Sequence, residues 1–138
     1  MYELDALLLA PAVPDLLAQA VKLDIAPGPG GSRMSSDKET RFYLEPVLRE
    51  HWPELGPITY ITVIALYPSS QLVGHCDAPI HATRYHIPLQ QNVGCWSFHD
   101  GHWQQLQIGR AYTMDPSLFH GAVNWGSTVR LHLIVDVC

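Results

Sequence analysis

The chain has 138 residues, of which 47% are hydrophobic and 15% charged, enough to bury one substantial core and too few for a second domain of similar size. Eight Lys and Arg stand against 13 Asp and Glu, a formal charge of −5, so no basic field exists to hold a phosphate backbone and general nucleic-acid binding is excluded. The three cysteines, Cys76, Cys95 and Cys138, lack CxxC spacing, which argues against a disulfide framework and for a reducing, cytoplasmic setting.

The first apolar run, "ALLLAPAV", follows Glu3 and Asp5 rather than Lys or Arg and is far too short to span a bilayer. Neither a signal peptide nor a membrane anchor is expected. "PDLLAQAVKL" has apolar residues at helical spacing, and "SSDKETRFYLEPVLREHW" opens with Ser36 and Glu39 placed as a capping box. Between them "APGPGGSRMSS" reads as a loop. Residues 1–57 are thus expected to be a helical part, which either buttresses the C-terminal portion of the chain or forms a dimer face; the sequence leaves the oligomeric state open.

From Ile58 the texture changes to short β-rich runs punctuated by turn residues: "ITYITVIALY", "RYHIPLQ", "CWSF", "WQQLQI", "RAYTMD" and "VRLHLIVDV". Many short strands at this spacing predict a mainly β sandwich or barrel over 58–138. "HDGH" marks a hairpin at Asp100-Gly101. There is no repeat and no interdomain linker, so residues 1–138 read as one domain.

Two of these runs carry a shared device. In "VRLHLIVDV", Val129, Leu131, Leu133, Val135 and Val137 fall on one face, and Arg130, His132, Ile134 and Asp136 on the other. "RYHIPL" does the same, with Arg84, His86 and Pro88 opposite Tyr85, Ile87 and Leu89. Two strands that each present an arginine and a histidine on one face can line a polar cavity inside a small barrel or jelly roll.

The stretch "GHCDAPIHATRYHIPLQ" supplies candidate ligands for such a cavity. His75 and Asp77, two residues apart on extended chain, share a face. His120, at the start of a later β-run, would complete the two-histidine, one-carboxylate set that holds non-heme Fe(II) with open positions. Arg130 follows on the next strand, where its fork can grip a carboxylate. Taken singly these residues have plainer readings: His75 and Asp77 as a strand-end turn pair, His120 as a core histidine, and Arg130 as the partner of Asp136 or Asp115.

From about Tyr60 to Val137 the sequence resembles the aspartyl/asparaginyl β-hydroxylase-like branch of the Fe(II)- and 2-oxoglutarate-dependent oxygenases. The resemblance rests on "YPSSQLVGHCD", "RYHIPL", Trp96 and "MDPSLFHGAVNWGSTVRLHLIVDV", and its most specific part is the ending. It implies a double-stranded β-helix (cupin-like) with N-terminal helices, and an enzyme that hydroxylates a C–H bond of an amino acid or of an aspartyl/asparaginyl-type residue in a peptide or protein. Carried across position by position, it implies His75, Asp77 and His120 as iron ligands, with 2-oxoglutarate and dioxygen as co-substrates. It further implies Arg130 on the distal carboxylate of 2-oxoglutarate, His86 on the carboxylate next to the keto group, and Arg84 facing co-substrate or substrate. A hydroxyl on the strand before His75 often assists there; the corresponding stretch has Ile64, with Thr62 nearby.

Trp96, Trp103 and Trp125 are expected in the core, with Trp125 also placed to overhang the site and contact substrate. Cys76 should point away from the ligands and pack, and His51, His81, His99 and His102 are expected in surface or loop roles. Two other functions use the same residues: a cupin-type hydrolase or isomerase with Zn(II) or Mn(II) and a bound water, and a non-catalytic jelly-roll binding module.

Overall fold

The computed structural model describes residues 1–25, 31–78 and 80–138; part of the expected loop, residues 26–30, lies outside them. The element order is β1 (Glu3–Leu8), a 3-10 turn (Ala10–Ala12), α1 (Val13–Ala20), β2 (Ser32–Met34), α2 (Asp37–His51), β3 (Ile58–Leu66), β4 (Ser70–His75), β5 (Thr83–Gln90), β6 (Cys95–His99), β7 (His102–Gln104), β8 (Arg110–Met114), β9 (His120–Asn124) and β10 (Arg130–Val137). Among the described residues ten strands form two antiparallel sheets: six in the order β1-β8-β5-β10-β3-β2, and four in the order β4-β9-β6-β7. The mainly β, jelly-roll expectation holds. No helix among the described residues is long and apolar enough to cross a membrane.

The N-terminal part is not purely helical, a correction to the sequence reading. β1 pairs with β8 and β2 with β3, so both are edge strands whose partners lie far along the chain. The helices do form where predicted. The Ser36 hydroxyl caps α2 by accepting from the Glu39 amide, and Thr40, Leu44 and Leu48, four residues apart, make its buried face.

That face sets where the core lies. Leu16 and Ala20 of α1 and Leu44 and Leu48 of α2 pack with Ile61 and Val63 of β3, Ile87 and Leu89 of β5, and Leu133, Val135 and Val137 of β10. The apolar core therefore sits between the helices and one face of the large sheet. The other face, carrying Arg84, His86, Arg130 and His132, is turned toward the small sheet. Asn124, fully buried on β9, ties the sheets together by donating to the Leu66 carbonyl of β3 at 2.9 Å.

Among the described residues no helix lies over the outer side of the small sheet, which corrects the expectation for the tryptophans. Trp96, Trp103 and Trp125 are 39%, 55% and 63% exposed. Its hairpin forms as read, with His99 opposite His102 and positive φ at Asp100 and Gly101 (48° and 82°), the left-handed pair that this two-residue turn requires.

One irregularity aims a candidate ligand. Between Leu72↔Ala122 and His75↔His120, β4 advances three residues while β9 advances two. This β-bulge shifts the alternation by one, so that Leu72 and His75 both reach the interior although strict alternation would separate them. Opposite the bulge a Cβ on Gly121 would meet the Leu72 carbonyl oxygen at 2.8 Å and Gly74 Cα at 3.1 Å. Gly121→Ala is accordingly expected to force β4 from β9, at a cost of about 1–3 kcal/mol and on the order of 5 °C in Tm. Melting the variant by circular dichroism checks this, and an unchanged Tm would mean that the strands absorb the methyl group.

Candidate metal centre

The bulge brings His75 opposite His120, their rings 4.3 Å apart between centroids. Asp77, just past β4, is fixed by its amide, which donates to the Pro116 carbonyl at 2.9 Å. Its two carboxylate oxygens lie 3.5 Å from His75 Nε2 and 3.5 Å from His120 Nε2. One donor atom from each of the three residues lies within 4.8 Å of the others, close enough to converge on one ion.

The histidines are presented in the right form. His75 Nδ1 bonds the Val73 carbonyl at 2.7 Å and His120 Nδ1 bonds the Leu118 carbonyl at 2.8 Å. A carbonyl only accepts, so each Nδ1 carries the proton and each Nε2 turns its lone pair toward Asp77. Burial also holds the His120 ring below its ordinary pKa, which keeps it neutral. Cys76, expected to pack on the opposite face, is exposed and is not among the residues lining the cavity.

Arg84 braces the acid. Its Nε and Nη2 donate to the two oxygens of buried Asp136 at 2.7 and 2.8 Å, and its Nη1 donates to Asp77 at 3.2 Å. The two-point pairing fixes the guanidinium plane. Arg84 thus stands beside the candidate ligands with its donors already engaged by two carboxylates. The plainer sequence reading paired Asp136 with Arg130; the structure pairs it with Arg84 instead.

These groups open into a cavity of about 310 Å³ between the sheets. Arg130 lines its inner end and is 3% exposed. Among the described residues no carboxylate pairs with it: Asp136 is taken by Arg84, and the one hydrogen bond is from Nη2 to Ser97 Oγ at 3.4 Å. Burial lowers its pKa to about 10, which still leaves it cationic at neutral pH. Among the described residues three buried side-chain nitrogens have no hydrogen-bond partner, His86 Nδ1, Arg130 Nε and His132 Nδ1, and all three residues line this one cavity. Leaving such groups unsatisfied is costly, so the cavity is built for a polar, anionic guest.

The remaining residues sort clearly. Thr62 and Ile64 both line the cavity, but the Thr62 hydroxyl is spent on the Ser35 carbonyl at 2.7 Å. Trp125 does not surround the cavity. It follows β9 at the end opposite His120, with its amide bonded to the Gly94 carbonyl, so the expected overhang is corrected. His99 is also corrected: it is 3% exposed, with Nε2 bonded to the Asp115 carbonyl at 2.8 Å. His81 and His102 are exposed, and half-buried His51 approaches Asp15 at 3.8 Å.

A family model described as aspartyl/asparaginyl beta-hydroxylase matches residues 47–138, more than half of the chain. The L-proline cis-4-hydroxylase of Rhizobium meliloti (strain 1021) is 25% identical over 97 residues, 68% of this chain and 34% of that protein, so the chain spans about a third of that relative's length. Among solved structures, a 2OG-Fe(II) oxygenase family oxidoreductase from Burkholderia pseudomallei matches with a TM-score of 0.64 at 10% identity, over 90% of this chain and 76% of the other. The non-heme alpha ketoglutarate dependent epimerase from nogalamycin biosynthesis gives 0.65 at 15% identity, over 96% and 75%. A protein with a double-stranded beta-helix domain from Klebsiella pneumoniae gives 0.53 at 14%, over 82% of each chain. At these identities the structural likeness concerns the fold, which is the double-stranded β-helix.

The buried histidines make stability depend on pH. Burial, reinforced by the charge of Arg130, holds His86 and His132 well below their ordinary value of 6.5. The unfolded chain takes up protons at these positions near pH 6.5 while the folded chain does not, so their contribution is intact above that pH and is lost as pH falls below it. Thermal melts between about pH 7.5 and pH 5 should show Tm dropping toward acid, less steeply in His132→Asn. Equal slopes would show that His132 is protonated in the folded protein.

Proposed function

The chain belongs to the aspartyl/asparaginyl β-hydroxylase family, and we propose that it is an Fe(II)- and 2-oxoglutarate-dependent dioxygenase. Its substrate in this reading is an amino acid, or an aspartyl/asparaginyl-type residue in a peptide or protein, hydroxylated at a C–H bond. The observation that carries the reading is buried, unpaired Arg130 at one end of a cavity whose other end holds the convergent donors of His75, Asp77 and His120. A metal-binding end and a carboxylate-binding end in one enclosed space suit an organic acid that chelates the metal and reaches inward with a second carboxylate.

Fe(II) fits the donor set, two imidazoles and one carboxylate on one side, with room for further ligands. When bound with 2-oxoglutarate it activates dioxygen, and the reaction replaces a substrate hydrogen by hydroxyl while the keto acid leaves as succinate and carbon dioxide. The chain's own residues do the positioning. Arg130 holds the distal carboxylate of 2-oxoglutarate by a charge-assisted fork that burial strengthens. His86, neutral and with Nδ1 unpartnered, lies along the cavity wall beside the other carboxylate. Arg84 keeps the Asp77 carboxylate turned toward the two imidazoles, so that little reorganisation is needed when iron binds. The helices behind the large sheet close that side to water. A hydrolase reading needs a second carboxylate as general base, and among the described lining residues Asp77 is the only one.

The test is anaerobic titration of the protein with Fe(II) and 2-oxoglutarate, following the visible charge-transfer band of a keto acid chelated to iron. The band should appear in the wild type and vanish in His120→Ala through loss of the metal. Arg130→Ala should still bind iron but weaken 2-oxoglutarate roughly thirtyfold or more, the scale for removing one partner of a buried charge pair. Iron binding without the band would overturn the reading.

A further inference from the structure

The small sheet gives one side to the cavity and the other to solvent. Leu72, Ala122 and His120 line the cavity, and Ser97 Oγ accepts from Arg130, so by strand alternation Gln71, Val73, Val123, Trp96 and Phe98 lie on the opposite side. Trp103 joins them across the β6–β7 pair, opposite Phe98 with ring centroids 5.1 Å apart. Phe119, just ahead of β9, folds onto the same side: its ring is 5.6 Å from that of Phe98, and a Cβ on Gly74 would run into it. A shallow apolar groove results, walled by Val73, Phe98, Trp103 and Phe119.

The four strands contain no Lys, Arg, Asp or Glu. Val73, Trp103, Phe119 and Trp96 are 69%, 55%, 52% and 39% exposed. These four side chains alone leave roughly 400–500 Å² of apolar surface bare, toward the upper end for one patch on a monomer. Two such faces brought together bury about 1,000 Å², the area at which a specific interface begins. The chemistry of the face narrows its occupant. A membrane surface draws on Lys and Arg beside the apolar contacts, and none of the eight in this chain lies in these strands. A charged protein partner finds no opposite charge here to select it. A second copy of the chain matches the face in both area and polarity, and an apolar surface free of charge has the composition of a homodimer interface.

We propose that two copies of this chain associate face to face through the outer sides of their small sheets, about a twofold axis that sets the same patch against itself. The arrangement repeats between protomers the sheet-on-sheet packing that each already has within it. It is independent of the proposed function, but it bears on the site. β4 and β9 carry His75 and His120 on one side and are covered on the other by the partner, while the cavity stays on the far side of the sheet from the interface. The dimer face also lies away from the helices.

The experiment is sedimentation equilibrium of wild type, Trp103→Glu, Val73→Glu and Phe42→Glu over about 1–100 μM, a range suited to an interface of this size. Wild type is expected at twice the mass of the single chain. Trp103→Glu and Val73→Glu, each placing like charges in the apolar face of both protomers, should raise the dimer Kd roughly a hundredfold or more and sediment as single chains with unchanged circular dichroism spectra. Phe42, 74% exposed on α2, is the control on the helical side, and Phe42→Glu should remain dimeric. A wild type of single-chain mass throughout overturns the proposal, and its co-sedimentation with phosphatidylcholine vesicles would assign the face to a lipid surface instead. A dimer that survives both small-sheet substitutions, or that only Phe42→Glu dissociates, lies elsewhere and overturns it equally. Should one small-sheet variant lose its β spectrum, the other, on a different strand, decides. Should both, dilution of wild type decides: tryptophan emission should move to longer wavelength as the dimer dissociates and Trp96 and Trp103 meet water, and dissociation without that shift overturns the proposal.

Discussion

The strict alternation of β10 governs this molecule. Leu133, Val135 and Val137 join the apolar core beneath the helices, while Arg130, His132 and Asp136 are buried on the opposite side. Because β10 lies between β3 and β5, its polar face has neighbours on both sides and is covered by the second sheet. Burying an arginine, a histidine and an aspartate on one strand is tolerable only if each meets a partner or a guest. Asp136 has Arg84, and His132 Nε2 bonds Gln91 Oε1 at 2.7 Å. Arg130 is left to the guest.

The metal end of the cavity depends on smaller devices. A bulge in β4 turns His75 inward, Gly121 lets the two backbones approach there, and carbonyls of Val73 and Leu118 set which nitrogen each imidazole presents. The Arg84–Asp136 pair extends this arrangement to Asp77. The carboxylate is thereby linked back to β10, so the strand that holds the co-substrate's far end in the proposed chemistry also steadies the metal's carboxylate.

Much of this was legible in the sequence, where the signal was local. Period-two patterning on β5 and β10 announced which side chains share the cavity, the Ser36 cap located the start of α2, and Asp100-Gly101 marked its hairpin. His75, Asp77 and His120 do converge. What escaped notice depends on partners distant in the chain. β1 and β2 are strands because β8 and β3 offer them edges, and their own residues carry no strong alternation. His99 sits in a run that reads as hairpin, yet Tyr2 covers it from nearly a hundred residues away. The tryptophans looked like core by composition, but among the described residues no helix covers the outer side of the small sheet. The Arg84–Asp136 pair could not be distinguished from other pairings without the register between β5 and β10.

The insertion of β10 between β3 and β5 also bears on how the molecule reaches its native state. During synthesis β3 and β5 are complete while the strand that must lie between them is still to come, so each presents an unpaired edge and an apolar face. Closing the sheet then requires contacts spanning some seventy residues for the β3–β10 pair alone, for example Ile64 with His132, and pairings of that range are slow to form and prone to intermolecular mispairing in the interval. The same strand order that hides a charged residue deep between two sheets thus makes a slow, aggregation-sensitive folding step its expected kinetic counterpart.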